Sequence, residues 1–257
     1  MSVAEFQRLH LERDRAESFG SGADQYERYR PAFPDALLDD LAAMTRSTQV
    51  LDVGTGTGKV ARGLARRGVS VLGVEIDPRM ADLARGHGVE VEIARFEEWD
   101  EAGRRFDLVT CGDAWHWIEP RGGAAKVAQV LSPGGTFVRF WNVQLLDEPV
   151  LVALDAVYAQ HAPDVRVNGR IPPFEMTADE LFSLQGPFSF VDAKTYLSVR
   201  QVTGEEWAGF AATISDHQRM PKERLALLRA AIREAIDGIG ATIRVRLATT
   251  AVFARRS

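Results

Sequence analysis

The sequence predicts an α/β fold, a seven-stranded and mostly parallel sheet with helices on both faces. Three observations carry that prediction. Between Gln49 and Asn142, short apolar runs alternate with amphipathic stretches of about ten residues, the rhythm of a parallel sheet with right-handed crossovers. A glycine-rich turn, Gly54-Thr55-Gly56-Thr57-Gly58, separates the first apolar run from the first of those stretches. Two further strand-like runs, with helical patterns between them, follow in the C-terminal third.

Residues 5–17 are charged and read as a helix. Pro31 and Pro34 break the segment 18–34, and a helix restarts at Asp35–Met44. Residues 49–54 form a short buried strand, and 59–68 a helix closed by Gly68. A second strand spans 69–76. The helix after it begins at Pro78 and ends at Gly88, as helix-end preferences dictate. Runs 89–96, 106–112 and 134–142 supply strands three to five, with a helix over Arg121–Leu131. The rhythm then changes to a helix over 148–161, a polar loop over 162–176 and a short helix over 177–185. A strand over 188–202, a helix over 203–215 capped by Thr203, a helix over 221–238 and a last strand over 242–256 complete the chain. These two late strands are expected to extend the sheet, one of them antiparallel. The expected organisation is a single domain, 1–257. Within it, 1–45 covers the ligand, 46–142 binds it, 143–185 is an inserted cap on the substrate side, and 186–257 completes the sheet.

With 257 residues the chain buries a sizeable core without staples. Its net charge of −5 argues against a protein that tracks nucleic-acid phosphates. Cys111 is the single cysteine, which excludes an internal disulfide and a cysteine-clustered metal site, so no metal is expected. The first twenty residues are charged throughout, and no apolar run approaches the ~18 residues of a membrane span. The expected setting is therefore cytoplasmic, with neither export nor anchoring.

The glycine turn narrows the ligand. Its G-x-G-x-G spacing differs from the dinucleotide pattern, and Val60 stands where a P-loop carries a hydroxyl. Asp52, two residues before Gly54, repels phosphate but suits the ammonium of an amino acid, directly or through water. Glu75 ends the second strand 23 positions later, at the distance from which a carboxylate binds ribose hydroxyls. Ribose without phosphate, joined to a cationic amino acid, describes S-adenosylmethionine.

VLDVGTGTGKVARGLA and GVEIDPRM resemble the motifs of the class I S-adenosylmethionine-dependent methyltransferases, and the resemblance covers nearly the whole chain. It is narrower toward the small-molecule branch, methyltransferase type 11-like, that includes trans-aconitate and ubiquinone methyltransferases. It implies a Rossmann-like sheet with a helical cap. Asp52, Gly54, Thr55, Gly56 and Gly58 are then the cofactor loop, Glu75 the ribose ligand and Ile76 an adenine contact. Many members carry Asp at the turn after the third strand. This chain has Arg95-Phe96-Glu97, so Phe96 and Glu97 are assigned to adenine instead. The segment Phe19–Pro31 resembles one that folds over the cofactor, which assigns Arg30 to the methionyl carboxylate and Tyr26 or Tyr29 to the methyl site.

The fourth strand leads into Asp113-Ala114-Trp115-His116-Trp117, where the family places residues facing the methyl group. Asp113 is assigned to the cofactor, and Trp115, His116 and Tyr26 to the reacting site. His116 is read as a proton acceptor, a hydrogen-bond partner or a lock for the loop. Trp117 is expected in the core, as is Cys111. His161, Arg166, Arg170 and His217 are placed near the cap, and Thr213, Ser215 and His217 fall in a stretch resembling one near the active site. The expected reaction is methyl transfer to O, N or C of a small molecule by a monomer or homodimer, with no nucleic acid and no membrane. Cyclisation on the same cofactor, or a noncatalytic binding module, is the alternative.

Overall fold

The computed structural model describes residues 9–12, 19–45, 49–170 and 186–257. Ahead of the sheet lie α1 (Ala23–Tyr29) and α2 (Asp35–Met44), separated by the two prolines that cannot continue a helix. Of the helix expected over 5–17, the described residues hold only a 3₁₀ turn at Leu9–Leu11. The short helix expected over 177–185 lies outside the described residues.

The alternating half folds as its pattern dictates. Strands β1 (Gln49–Val53), β2 (Ser70–Glu75), β3 (Glu90–Ile93), β4 (Phe106–Gly112) and β5 (Leu131–Leu146) are interleaved with α3 (Lys59–Ala65), α4 (Pro78–Gly86) and α5 (Pro120–Val130). Asp77 caps α4 and Glu119 caps α5, each side chain accepting main-chain N–H groups of the first turn, and each is followed by proline. After β5 come α6 (Glu148–His161), β6 (Phe188–Val202), α7 (Gly204–Ala212), α8 (Ser215–Gln218), α9 (Lys222–Asp237) and β7 (Ile243–Arg256).

The seven strands run in the order β3-β2-β1-β4-β5-β7-β6. β7 pairs antiparallel with both β5 and β6, so it alone runs against the rest. β5 is longer than its local pattern predicts. Its continuous pairing with β7 from Thr136 to Leu146 supplies the hydrogen bonds, a long-range partner that no local window contains. The predicted helix over 203–215 is divided instead. Thr203 and Glu206 form a capping box at its start. The Thr213 hydroxyl turns back to the Phe210 carbonyl at 2.6 Å, which ends α7 before α8 begins.

Three apolar clusters hold the layers. Helices α2, α3 and α4 cover one sheet face through Leu38, Leu41, Leu64 and Ala84 against Val50, Leu108 and Phe140. On the other face, α5 with Phe96 and Trp99 covers Leu51, Val109 and Phe137. The third gathers α6, α7 and α9 around Leu154, Trp207 and Leu228, closed by Leu146 and Val245. Of the segment 143–185, residues 143–146 belong to β5, α6 packs into the third cluster, and 171–185 lie outside the described residues. Among the described residues no helix is long and apolar enough to cross a membrane.

Candidate functional site

The sheet order reverses between β1 and β4, and such a switch point opens a crevice beyond the carboxyl ends of the strands. The loop after β1 fills it with main chain. Gly54 and Gly56 adopt φ of 64° and 57°, a region costly for residues with a Cβ. A Cβ on Gly54 would lie 2.5 Å from that of Ala114, on the loop after β4. Absent side chains thus let the two loops meet.

Glu75 is fixed by this loop. The Gly56 N–H donates to its Oε2 at 2.8 Å, and the Asp77 N–H to its Oε1 at 3.0 Å. The carboxyl is only 8% exposed. Burial pushes its pKa above the usual range, while the Asp77 and Gly56 amides pull it back. Glu75 lines a cavity of about 210 Å³. Ile76, Met80 and Ala94 give the same cavity an apolar flank. Phe96 also borders it, but its ring belongs to the core, stacked on Trp99 at 6.5 Å. Glu97 lines the cavity and accepts the Glu119 N–H at 2.8 Å, tying the turn after β3 to the cap of α5.

Asp52 sits deeper, 1% exposed. Its oxygens accept the hydroxyls of Thr55 and Thr110, both at 2.7 Å. Burial still pushes its carboxyl up to about 6. It faces a second cavity of about 30 Å³, also lined by Tyr26, Arg30, Thr55 and Asp113. That volume suits a single water. Gly58 stands apart from Gly54 and Gly56. It lines neither cavity. Its φ of 82°, with Val89 and Ala84 at 3.0 and 3.2 Å from a hypothetical Cβ, lets the loop pack against α4 and the turn into β3.

The roof is α1 and the residues beside it. Tyr26 lines both cavities, and burial pushes its phenol up to about 12, so it stays a hydrogen-bond donor at neutral pH. Arg30 also lines both. Its Nε donates to Thr213 Oγ1 at 2.9 Å and its Nη2 to the Thr213 carbonyl at 3.0 Å. The guanidinium lies 5.2 Å from the Tyr26 ring centroid and 5.4 Å from that of Phe210. Asp113 closes the far side with a left-handed φ of 52°, strained for a residue with a side chain but tolerated by Asp. The Asn142 N–H donates to its Oδ1 at 3.0 Å. Burial pushes this carboxyl up to about 6, against the pull of Arg30.

The two tryptophans exchange their expected places. Trp115 is absent from the cavity wall, its ring packing on Phe137 at 4.8 Å. Trp117 lines the cavity, with Phe19 edge-on at 5.7 Å and His116 at 4.8 Å. One 3₁₀ turn, Trp115–Trp117, sends successive side chains in different directions, which sequence order does not reveal. His116 reaches the cavity as expected. His217 is buried against the Tyr158 hydroxyl at 2.7 Å, with burial lowering its pKa to about 4. Arg170 pairs with Asp155 at the surface. Cys111 is buried in the core, its thiol pushed up by burial.

One residue escaped the sequence reading. Glu27 of α1 accepts the Thr57 hydroxyl at 2.6 Å and pairs with Lys59 at 3.2 Å and with Arg62. Thr57 and Lys59, at the end of the glycine turn, are therefore occupied by the roof helix. The only sequence signal was a carboxylate opposite two cations, too common to single out.

Comparison with known proteins gives this geometry its family. Residues 50–135 match the family described as Methyltransferase domain. Over these residues the chain is similar to a methyltransferase domain. A methyltransferase of uncharacterised activity from Mycobacterium tuberculosis is 37% identical over 134 residues, covering 51% of this chain and 55% of the relative. The ubiquinone biosynthesis O-methyltransferase of Acinetobacter baylyi is 32% identical over 145 residues, covering 51% of this chain and 60% of the relative. The chain thus spans between half and two thirds of the length of these two relatives. A structure described as a type II methyltransferase, from Anaeromyxobacter dehalogenans, superposes with a TM-score of 0.66 over 89% of this chain and 98% of its own, at 23% identity. That likeness extends the fold of the methyltransferase domain through β6 and β7. Among the described residues no His, Cys, Asp and Glu group is arranged to hold a metal.

Proposed function

We propose that this protein transfers a methyl group from S-adenosylmethionine to an O, N or C atom of a small molecule. One observation carries the reading, the cavity in which Glu75 is held by the main chain of a glycine loop, between an apolar flank and a polar end. The donors fit the cofactor part by part. Glu75 keeps lone pairs for a ribose diol beyond its two main-chain bonds. The flank of Ile76, Met80 and Ala94 suits a purine, and Arg30 with Asp113 and water-linked Asp52 suits a zwitterionic amino acid. When bound, S-adenosylmethionine supplies an activated methyl group on a sulfonium sulfur.

The remaining work falls to this chain's residues. Tyr26, Asp113, His116 and Trp117 line the same cavity as Glu75, and their role is to exclude water and orient an acceptor. Alignment of this kind supplies on the order of 7–11 kcal/mol of rate enhancement, which is why no catalytic triad is needed. His116 is the side chain suited to take a proton from an O–H or N–H acceptor, a contribution of about 10²–10⁴-fold. The cavity carries Glu75, Asp77, Glu97 and Asp113 against Arg30 and Arg95, an acidic balance that disfavours a polyphosphate acceptor and supports a small metabolite. The lone buried cysteine fits a cytoplasmic setting.

The test is calorimetry with S-adenosylhomocysteine, followed by incubation with S-adenosylmethionine and panels of acids, phenols and amines. Product mass should rise by one methylene. Absence of heat with folded protein ends the cofactor reading, and release of methylthioadenosine without acceptor methylation replaces transfer by cyclisation.

A further inference from the structure

Arg30 is held by a residue far away in sequence. Thr213, 1% exposed, gives Arg30 two acceptors, its hydroxyl and its carbonyl. The hydroxyl is oriented for that task because its own hydrogen is donated to the Phe210 carbonyl at 2.6 Å, leaving a lone pair for the Arg30 Nε–H. Phe210 contributes again through its ring, 5.4 Å from the guanidinium carbon, beside the contact with Tyr26 at 5.2 Å. The last turn of α7 therefore fixes the guanidinium at one edge and against one ring. Among the described residues Arg30 Nη1 forms no hydrogen bond and the guanidinium no ion pair, although it lines both cavities. A planar fork with one edge anchored and the other facing a cavity is pre-organised for a carboxylate.

From this we infer that Thr213 is a positioning residue, aiming Arg30 at the carboxylate of the amino-acid end of the bound cofactor, so that Thr213 sets cofactor affinity without itself lining either cavity. The inference rests on the cofactor reading above. Two further contacts tie the same elements together. Tyr29, next to Arg30, packs its ring 2.5 Å from where a Cβ of Gly209 would lie, and its hydroxyl donates to Glu205 at 3.1 Å. Roof helix α1 is thereby seated on α7, and closing one places the other's guanidinium.

The experiment compares two probes by calorimetry, S-adenosylhomocysteine and methylthioadenosine, which share the nucleoside but differ in the amino acid. Thr213→Val keeps the volume and removes the hydroxyl acceptor. It should weaken S-adenosylhomocysteine about tenfold, the size of one charge-assisted contact, and leave methylthioadenosine unchanged. Thr213→Ser should restore wild-type affinity for both. In an Arg30→Gln background, Thr213→Val should add nothing, since its effect acts through the guanidinium. Equal weakening of both probes by Thr213→Val, or an undiminished effect without Arg30, overturns the inference and leaves Thr213 a packing residue. Wild-type protein binding neither probe removes the cofactor reading itself, whereas wild type binding both with the ratio unmoved in Thr213→Val removes the positioning role alone.

Discussion

Replacing Glu27 by alanine should loosen the roof of the site without touching the cavity wall. Its carboxylate accepts from Thr57 and pairs with Lys59 and Arg62, while His87 lies 3.8 Å away. Burial pushes the Glu27 carboxyl up, but the Thr57 and Arg62 hydrogen bonds and the Lys59 charge outweigh it, so the net position is below the ordinary value of 4.5. Lys59 keeps one bond in the variant, to the Glu27 main-chain carbonyl at 2.7 Å. The loss is then the hydroxyl bond and two partly screened ion pairs, each about 1 kcal/mol, or about 2–3 kcal/mol together. For a chain of this size that lowers the melting temperature by about 5–8 °C. The depressed pKa sets the sign with pH. The stabilisation is complete above the unfolded value near 4.5 and is lost as pH falls through the lower folded value. Urea titrations of wild type and Glu27→Ala at pH 7 should therefore differ, and the gap should shrink below pH 4.5. A variant as stable as wild type at pH 7, or a gap that persists unchanged in acid, refutes the latch.

Two other predictions follow from the same geometry. Trp115→Ala should cost about 2–3 kcal/mol of stability through lost packing on Phe137 while S-adenosylhomocysteine affinity stays within about twofold; Trp117→Ala should do the opposite, and calorimetry with urea melts separates them. Asp113, raised by burial to about 6, contributes stability that is present below its unfolded value near 3.8 and is lost as pH rises through the folded value. Asp113→Asn should therefore be more stable than wild type at pH 7.5, by on the order of 1–3 kcal/mol, with the gap closing toward pH 4, and equal pH profiles would contradict that assignment.

The local signals in this sequence are of two kinds, and both were reliable. Hydrophobic period and punctuation placed β1 to β4, helix α2 after Pro34, the Asp77-Pro78 start of α4 and the Thr203 cap, because each depends on residues within one turn or one strand. The glycine turn after β1 and the acids beside it were legible for a related reason. A main chain that must bend at Gly54 and Gly56 and present a carboxylate at a strand end leaves few residue choices. What local sequence omits is direction and distance. Which way Trp115 and Trp117 point within one 3₁₀ turn depends on Phe137 being there to receive a ring. The length of β5 depends on β7, over a hundred positions later. The union of Arg30 with Thr213, and of Glu27 with Thr57, Lys59 and Arg62, depends on the sheet having first brought those helices to one end of the molecule. The amino-acid order alone determined the scaffold and its glycine turn. Tertiary packing decided which side chains close over that loop, because hydrogen bonds and ring contacts act over a few ångströms and only the folded chain brings distant residues within them.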